Sequence, residues 1–390
     1  MIKKLKKSVA FLLSVILAMM INLPIGTSGI FDSLLTAKAA EVNTNSGITI
    51  NEASTVAVSQ PTEGDGTEST PYLISTVGEL YWFAGLVNGT LEWINQNKNA
   101  CAKLTADITV NQGLLNDDGT IKRTSVTQWK PIGLSSSNRY LGTFDGNGHT
   151  ISGLYCSDEE YIGFIGYLSN KIINTSVVDS YFCGSKYVGS ICGYNYYGVI
   201  EYCYSDNTVS GLTSDTYVGS VCGYNYYSSD SYYVKNCIAM ISIEKGSLGK
   251  HYTISYSASS TNRYVFKNIP DDINFSNNTY NVYYKDDFAK GKIVYEINGS
   301  SSADTVVWRQ DLSSENSRPV PNGTSDNPSP IVYYKYLNTC APIYTNSTAE
   351  ASQIEHNYVD GICTNNCGVP SKNSSYYQIY DKAQLLTFAE

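Results

Sequence analysis

The sequence predicts an all-β protein, a parallel β-helix-like solenoid of short stacked coils with one capping helix near its start. Three observations carry this reading. Close copies of one unit follow one another: "YVGSICGYNYYGVIEYCYSDNTVSG" at 187–211 and "YVGSVCGYNYYSSDSYYVKNC" at 217–237, after a looser copy, "YIGFIGYLSNKIINTSVVDSYFCGSK", that starts at Tyr161. Units 26 and 30 residues apart are too short to bury an apolar face alone, so successive copies must stack. Within each unit apolar and polar residues alternate with period two, the spacing of a strand. The composition agrees: 34 Tyr and 31 Gly in 390 residues, only 16% charged, suit an extracellular β protein rich in turns.

Taken in order, the chain opens on a basic stretch (Lys3, Lys4, Lys6 and Lys7), an apolar run and the small-x-small tripeptide "AKA" at 37–39. These read as a secretory signal peptide over 1–39, cut near Ala39/Ala40, with an uncleaved anchor as the rival. No later stretch approaches the roughly 20 apolar residues of a membrane span. Export to the medium or the cell surface follows. Residues 40–63 read as a disordered linker, and the solenoid is expected over 64–312.

Residues 76–88, "TVGELYWFAGLVN", predict a short amphipathic helix. Thr76 and Glu79 have capping-box spacing, and Leu80, Phe83, Ala84 and Val87 form one stripe. It stands where an N-terminal cap belongs, ahead of "AKLTADITV", the first expected strand. Trp82 and Trp93 are expected in its core, with a binding groove as the alternative. In the repeats, Gly163, Gly189 and Gly219 mark a corner where a Cβ would clash. In-register stacking about 4.8 Å apart would align Tyr161, Tyr187 and Tyr217 in one column and Ile165, Ile191 and Val221 in another. Cys192 and Cys222 would share a column, with Gly166 in their slot in the first unit; Cys203 and Cys237 would share another. A small, apolar, interior position suits such a slot, and the reading favours free thiols over ladder disulfides there.

The units resemble GLUG repeats, found in large bacterial cell-surface and secreted proteins. "YLGTFDGNGHTISGLY" at 140–155 looks like the lead-in coil of such repeats. "DDFAKGKIVYEING" from Asp286 and "VVWRQDL" from Val307 look like their closing unit. The resemblance implies a right-handed parallel β-helix-like solenoid and an adhesin-like setting. Because the same repeats also stand beside peptidase domains, it names no activity.

Beyond the solenoid, the Ser-, Asn- and Pro-rich stretch within 313–335 reads as a linker, and 336–370 as a small Cys/His unit. The last fourteen residues, "YQIYDKAQLLTFAE", repeat "YLISTVGELYWFAG", so 371–390 reads as the start of a truncated second module.

A formal charge of −9, more acidic still without the Lys-rich leader, argues against nucleic acid as a partner. Three His and the absence of H-E-x-x-H, G-x-S-x-G and P-loop motifs give no enzyme signature and no cofactor. Asp145 and His149 in "FDGNGHT" read as a turn, and Asp158, Glu159 and Glu160 as a solvated rim rather than a Ca²⁺ site. Cys340, His356, Cys363 and Cys367 could hold structural zinc, but C-x₃-C spacing and export favour a disulfide from Cys340 to Cys363 or Cys367. The expected function is non-enzymatic: a secreted or surface-displayed solenoid binding an extracellular glycan or protein. Tyr194, Tyr196, Tyr197, Tyr224, Tyr226 and Tyr227, in the tips between strands, are the candidate contacts. The alternative is the noncatalytic stalk of a larger peptidase or glycan-active enzyme whose catalytic domain lies elsewhere.

Overall fold

The structure, a computed structural model, describes residues 56–276 almost continuously (124, 158, 228–232 and 258–260 aside), with short stretches within 42–52 and 282–378. The predicted leader and its cleavage site, the second-module helix at 381–390 and most of the predicted linker at 313–335 lie outside the described residues.

The coils that begin at Tyr161, Tyr187 and Tyr217 each visit four parallel sheets in turn. Sheet 1 stacks Tyr161–Ile162, Tyr187–Gly189, Tyr217–Gly219 and Lys250–Tyr252; sheet 2 stacks Ile165–Leu168, Cys192–Asn195 and Cys222–Asn225. Sheet 3 runs from Tyr72–Ile74 through Ala102–Leu104, Thr143–Asp145, Lys171–Ile173 and Val199–Glu201 to Tyr233–Lys235. Sheet 4 includes Thr150–Ser152, Ser176–Gly184, Tyr204–Gly211, Ile238–Ile243 and Arg263–Asn268. Inward columns such as Phe144–Ile172–Ile200–Val234 form the core, fully buried at every level. The second half of each unit is two strands, one in sheet 3 and one in sheet 4.

The corner between sheets 3 and 4 explains that break. Asn174, Tyr202 and Asn236, one in each of three successive coils, take left-handed backbone with φ of 50°, 54° and 55°. Asn adopts this region readily and Tyr rarely. The next residue secures the corner each time. Thr175 Oγ1 donates to the Ile173 carbonyl at 2.7 Å, Cys203 Sγ to Glu201 at 3.4 Å and Cys237 Sγ to Lys235 at 3.3 Å. Cys203 and Cys237 do what a threonine does one coil earlier: they bridge the left-handed residue with a side-chain hydrogen bond.

Cys192 and Cys222 occupy a different kind of slot. They pair in register, wholly buried, and the first-unit residue in their column is Ile165. The expected column Ile165–Ile191–Val221, with Gly166 in the cysteine slot, is thus displaced by one. The first unit has one residue fewer between its two tyrosines (Tyr161 to Tyr167, against Tyr187 to Tyr194), so its second strand enters a residue early. An isoleucine in the slot marks it as an apolar interior position. Burial and the neighbouring Cys222 push the Cys192 thiol well above its ordinary pKa. Gly189 and Gly219 are required by close approach, because a Cβ would lie 2.3 Å and 2.2 Å from the carbonyl oxygens of Cys192 and Cys222.

Helix α1 spans Val77–Asn88. Glu79 N donates to Thr76 Oγ1 at 3.2 Å and Thr76 N to Glu79 Oε2 at 3.0 Å, closing the capping box, and Gly89 ends the helix in left-handed backbone. Leu80, Phe83, Ala84 and Val87 are buried, and Phe83 packs edge-on against Tyr140 at 6.1 Å. Contrary to expectation, the helix does not precede the first strand, because Tyr72–Ile74, ahead of it in the chain, already pairs with Ala102–Leu104. Trp82 is buried as predicted. Trp93 is not: it is 99% exposed with φ 64°, at a turn beyond the helix that points its ring away from the core.

Sheet 4 is buried on its inner face and over part of its outer face. Its outward residues Val178, Tyr204, Met240 and Val265 lie under Ile293 and Val294 of helix α2 (Lys292–Asn298) and under Trp308, itself 1% exposed. Asn298 fixes the backbone of that residue by accepting from Trp308 N at 2.9 Å and donating to its carbonyl at 2.8 Å. Trp308 Nε1 in turn donates to the Asn236 carbonyl at the corner, 3.2 Å away.

Candidate functional site

Over sheets 1 and 2 the outward residues are tyrosines. Tyr161, Tyr187 and Tyr217 form one row; Tyr167, Tyr194, Tyr224 and Tyr256 form the other. Within the second row the rings stack at 4.9, 5.3 and 4.6 Å, tilted by 29°, 5° and 15°. Between rows they meet edge to face, Tyr187 on Tyr194 at 4.8 Å and Tyr217 on Tyr224 at 4.9 Å. Each such pair contributes about 0.5–1.5 kcal/mol beyond its buried area. The ring faces are spent on one another. Burial, reinforced by neighbouring phenols, pushes the Tyr167 hydroxyl up to about 12 and raises those of Tyr194 and Tyr224. Cations border the first row: Lys186, paired with Glu160, lies over the Tyr187 ring at 5.3 Å, and Lys250 over Tyr217 at 4.7 Å.

The tips beyond sheet 2 differ. Asn195 and Asn225, both wholly buried, form a ladder in which Asn195 Nδ2 donates to Asn225 Oδ1 at 2.7 Å and to the Gly198 carbonyl at 2.9 Å. Tyr226 N donates to the Asn195 carbonyl at 2.9 Å, and Tyr197 turns the chain at φ 58°. A side chain at 198 would strike Asn195 Oδ1 at 2.3 Å, which explains the glycine. On this rigid support Tyr197, Tyr226 and Tyr227 are 37%, 47% and 49% exposed, 5.5–5.7 Å apart. Tyr196, half-buried, joins them to the band through Tyr226 at 5.0 Å.

The six candidate tyrosines therefore split. Tyr194 and Tyr224 are ladder members whose faces are covered, while Tyr197, Tyr226 and Tyr227 form an aromatic patch open to solvent. The sequence reading missed Tyr256, also exposed, which extends the stack by one coil. The signal was there in "HYTISY" at 251–256, a degenerate fourth copy.

Cys340, His356 and Cys367 lie outside the described residues, and Cys363 is described only as a strand position opposite Tyr358. Asp145 makes the predicted turn, accepting from Asn147 N at 2.8 Å and from Asn174 Nδ2 at 3.0 Å. In the acidic run Glu159 pairs with Lys130 and Glu160 with Lys186; Asp158 is not among the described residues. Among the described residues no three His, Cys, Asp or Glu side chains gather as a metal site. A serine and a histidine do meet. Ser247 Oγ lies 2.9 Å from His251 Nε2 while accepting from Gly211 N at 2.8 Å. Both are buried, however, and His251 continues the inward Val188–Val218 column, where burial lowers its pKa and favours the neutral ring. This is a satisfied core pair, closed to a substrate.

With the stacked sheets and the ladder established, residues 184–210 match the GLUG motif. The chain carries a GLUG motif. The matched segment runs from the corner after Cys183 through one full coil, tyrosine tip included. No curated protein matches the sequence. Among solved structures, the chain is similar to one described as a putative immunoglobulin A1 protease from Bacteroides ovatus, at 17% identity and TM-score 0.39, over 67% of this chain and 95% of that one.

Proposed function

We propose that this chain is a secreted or surface-displayed binding solenoid, non-enzymatic, whose tyrosine tips engage an extracellular glycan or protein. The observation that carries the proposal is the split within the tyrosine band. Tyr161, Tyr187, Tyr194 and Tyr224 are consumed by mutual packing, whereas Tyr197, Tyr226 and Tyr227 present rings to solvent from a backbone locked by the Asn195–Asn225 ladder. Rigid aromatic rings bury large area at small entropic cost, and a phenol hydroxyl adds a polar contact, which suits recognition of sugars and of protein surfaces. The leader-like N-terminus supports export, and the closed Ser247–His251 pair supports a non-catalytic role.

The test compares the protein with its Tyr226→Ala/Tyr227→Ala variant on glycan arrays and on cell surfaces. The expected outcome is loss of binding with an unchanged melting curve. Binding that persists in the variant removes the tips as the contact.

A further inference from the structure

A polar recess lies on the outer side of sheet 4, beneath the loop 113–119. It has a volume of about 160 Å³. A cavity needs only about 10–15 Å³ on this measure to hold one water, so the space suits a molecule the size of a single sugar ring.

Two features of its wall do not follow from the fold. The first is Asp206. Its column neighbours are Val178, Met240 and Val265, and stacking favours another apolar residue there. A buried aspartate is costly unless paired, and Lys267 reaches Oδ1 at 2.8 Å to pair it. The second is Asp179. The strand slips register between Val178 and Tyr181, and Asp179 takes φ 49° in that bulge, where it is held by Arg318 at 2.9 and 3.1 Å. Bulges of this kind redirect a side chain away from the ladder. Here the redirected side chain lines the recess, 27 positions before Asp206 and on the adjacent strand.

The charges decide the ligand class. Asp206 and Asp179 are each already neutralised by a cation, and the third acidic residue, Asp117, is exposed. A divalent cation would have to displace Lys267 and Arg318, and an anion would face three carboxylates. A neutral ligand carrying hydroxyls can donate to the carboxylates and accept from Lys267 and the amides of Asn116 and Asn268 without disturbing either ion pair. We infer that this recess binds one neutral sugar ring, at a site separate from the tyrosine tips and independent of their role.

The test is titration of the full chain with the methyl glycosides of glucose, galactose, mannose and N-acetylglucosamine, followed by calorimetry and saturation-transfer NMR. At least one is expected to bind saturably, and Asp206→Leu, which extends the apolar column, should weaken it by about tenfold or more, the loss of one charged hydrogen bond. Asn116→Trp, which fills the recess from its exposed rim and leaves both ion pairs intact, should do the same if Asp206→Leu impairs folding. Tyr226→Ala/Tyr227→Ala should leave this binding unchanged, so the two sites fail separately. The proposal is overturned if none of the four binds saturably, if binding survives Asn116→Trp, or if calcium or phosphate alone occupies the recess.

Discussion

Sheet 4 and the tyrosine band are outward surfaces of the same coils, yet they are finished in opposite ways. Sheet 4 turns Val178, Tyr204, Met240 and Val265 outward and hides them under α2 and Trp308. Sheets 1 and 2 turn tyrosines outward and let the rings cover one another. An apolar outer column must be covered by more chain, whereas a tyrosine column is covered by its own neighbours and leaves its hydroxyl edge wet. The chain uses the first solution where it adds a lid and the second where it leaves a surface free.

The comparison breaks most readily at Trp308. Trp308→Ala removes the largest side chain of the lid and should cost about 3–5 kcal/mol, lowering the thermal midpoint by several degrees. A loss below about 1 kcal/mol would mean the lid is not what completes sheet 4. The tyrosine side is sharpened by pH. The Tyr167 hydroxyl is raised from an ordinary 10.0 to about 12, so folding holds its proton more tightly than the unfolded chain does. That contribution is complete below about pH 10 and is lost as pH rises toward 12. Thermal midpoints across this window should fall together with the rise of tyrosinate absorbance, and a midpoint flat to pH 12 would contradict the packed ladder.

A smaller effect is expected at the corner that both surfaces share through the coil. Cys203→Ala removes the hydrogen bond to Glu201 and should cost about 1 kcal/mol, while Cys203→Thr, the residue used at Thr175, should restore most of it. Equal losses in both variants would show that the side chain fills space there rather than bonding. Smallest of all, Tyr227→Ala should change stability by less than about 0.5 kcal/mol, as expected of a ring half exposed at a tip.

How much of this could be read beforehand depended on whether the determining residues repeat. The ladders of Tyr187 and Tyr217 and of Cys192 and Cys222 were legible because near-identical units must superpose. Thr76 and Glu79 were legible because a capping box is local. The corner at Tyr202 was not, since a tyrosine carries no turn signal and its role appears only when Asn174 and Asn236 align with it. The one-residue shortfall in the first unit moved Ile165 into the cysteine slot, and in a period-two strand a single residue reverses inside and outside. Trp93 failed because apolar character was equated with burial. The recess at Asp206 was invisible for a different reason: Lys267 lies 61 residues away and Arg318 pairs with Asp179 across 139. The register of the stacked strands brings Lys267 to Asp206, and the chain beyond the solenoid brings Arg318 to Asp179.

The near identity of 187–197 and 217–227 has a consequence at the level of the gene. Such sequences invite unequal recombination, and the product of one such event can be written down. Deleting residues 187–216 joins Lys186 directly to Tyr217, so "GSK" leads into "YVGSVCGYNYY" much as it now leads into "YVGSICGYNYY". Tyr217 would then stack on Tyr161, Asn225 would follow Leu168, and a whole coil would be gone with its neighbours still in step. Within the sheets each strand pairs only with those of the coils above and below it, so the chain can lengthen or shorten by inherited steps of one rung, adding or removing one tyrosine tip each time.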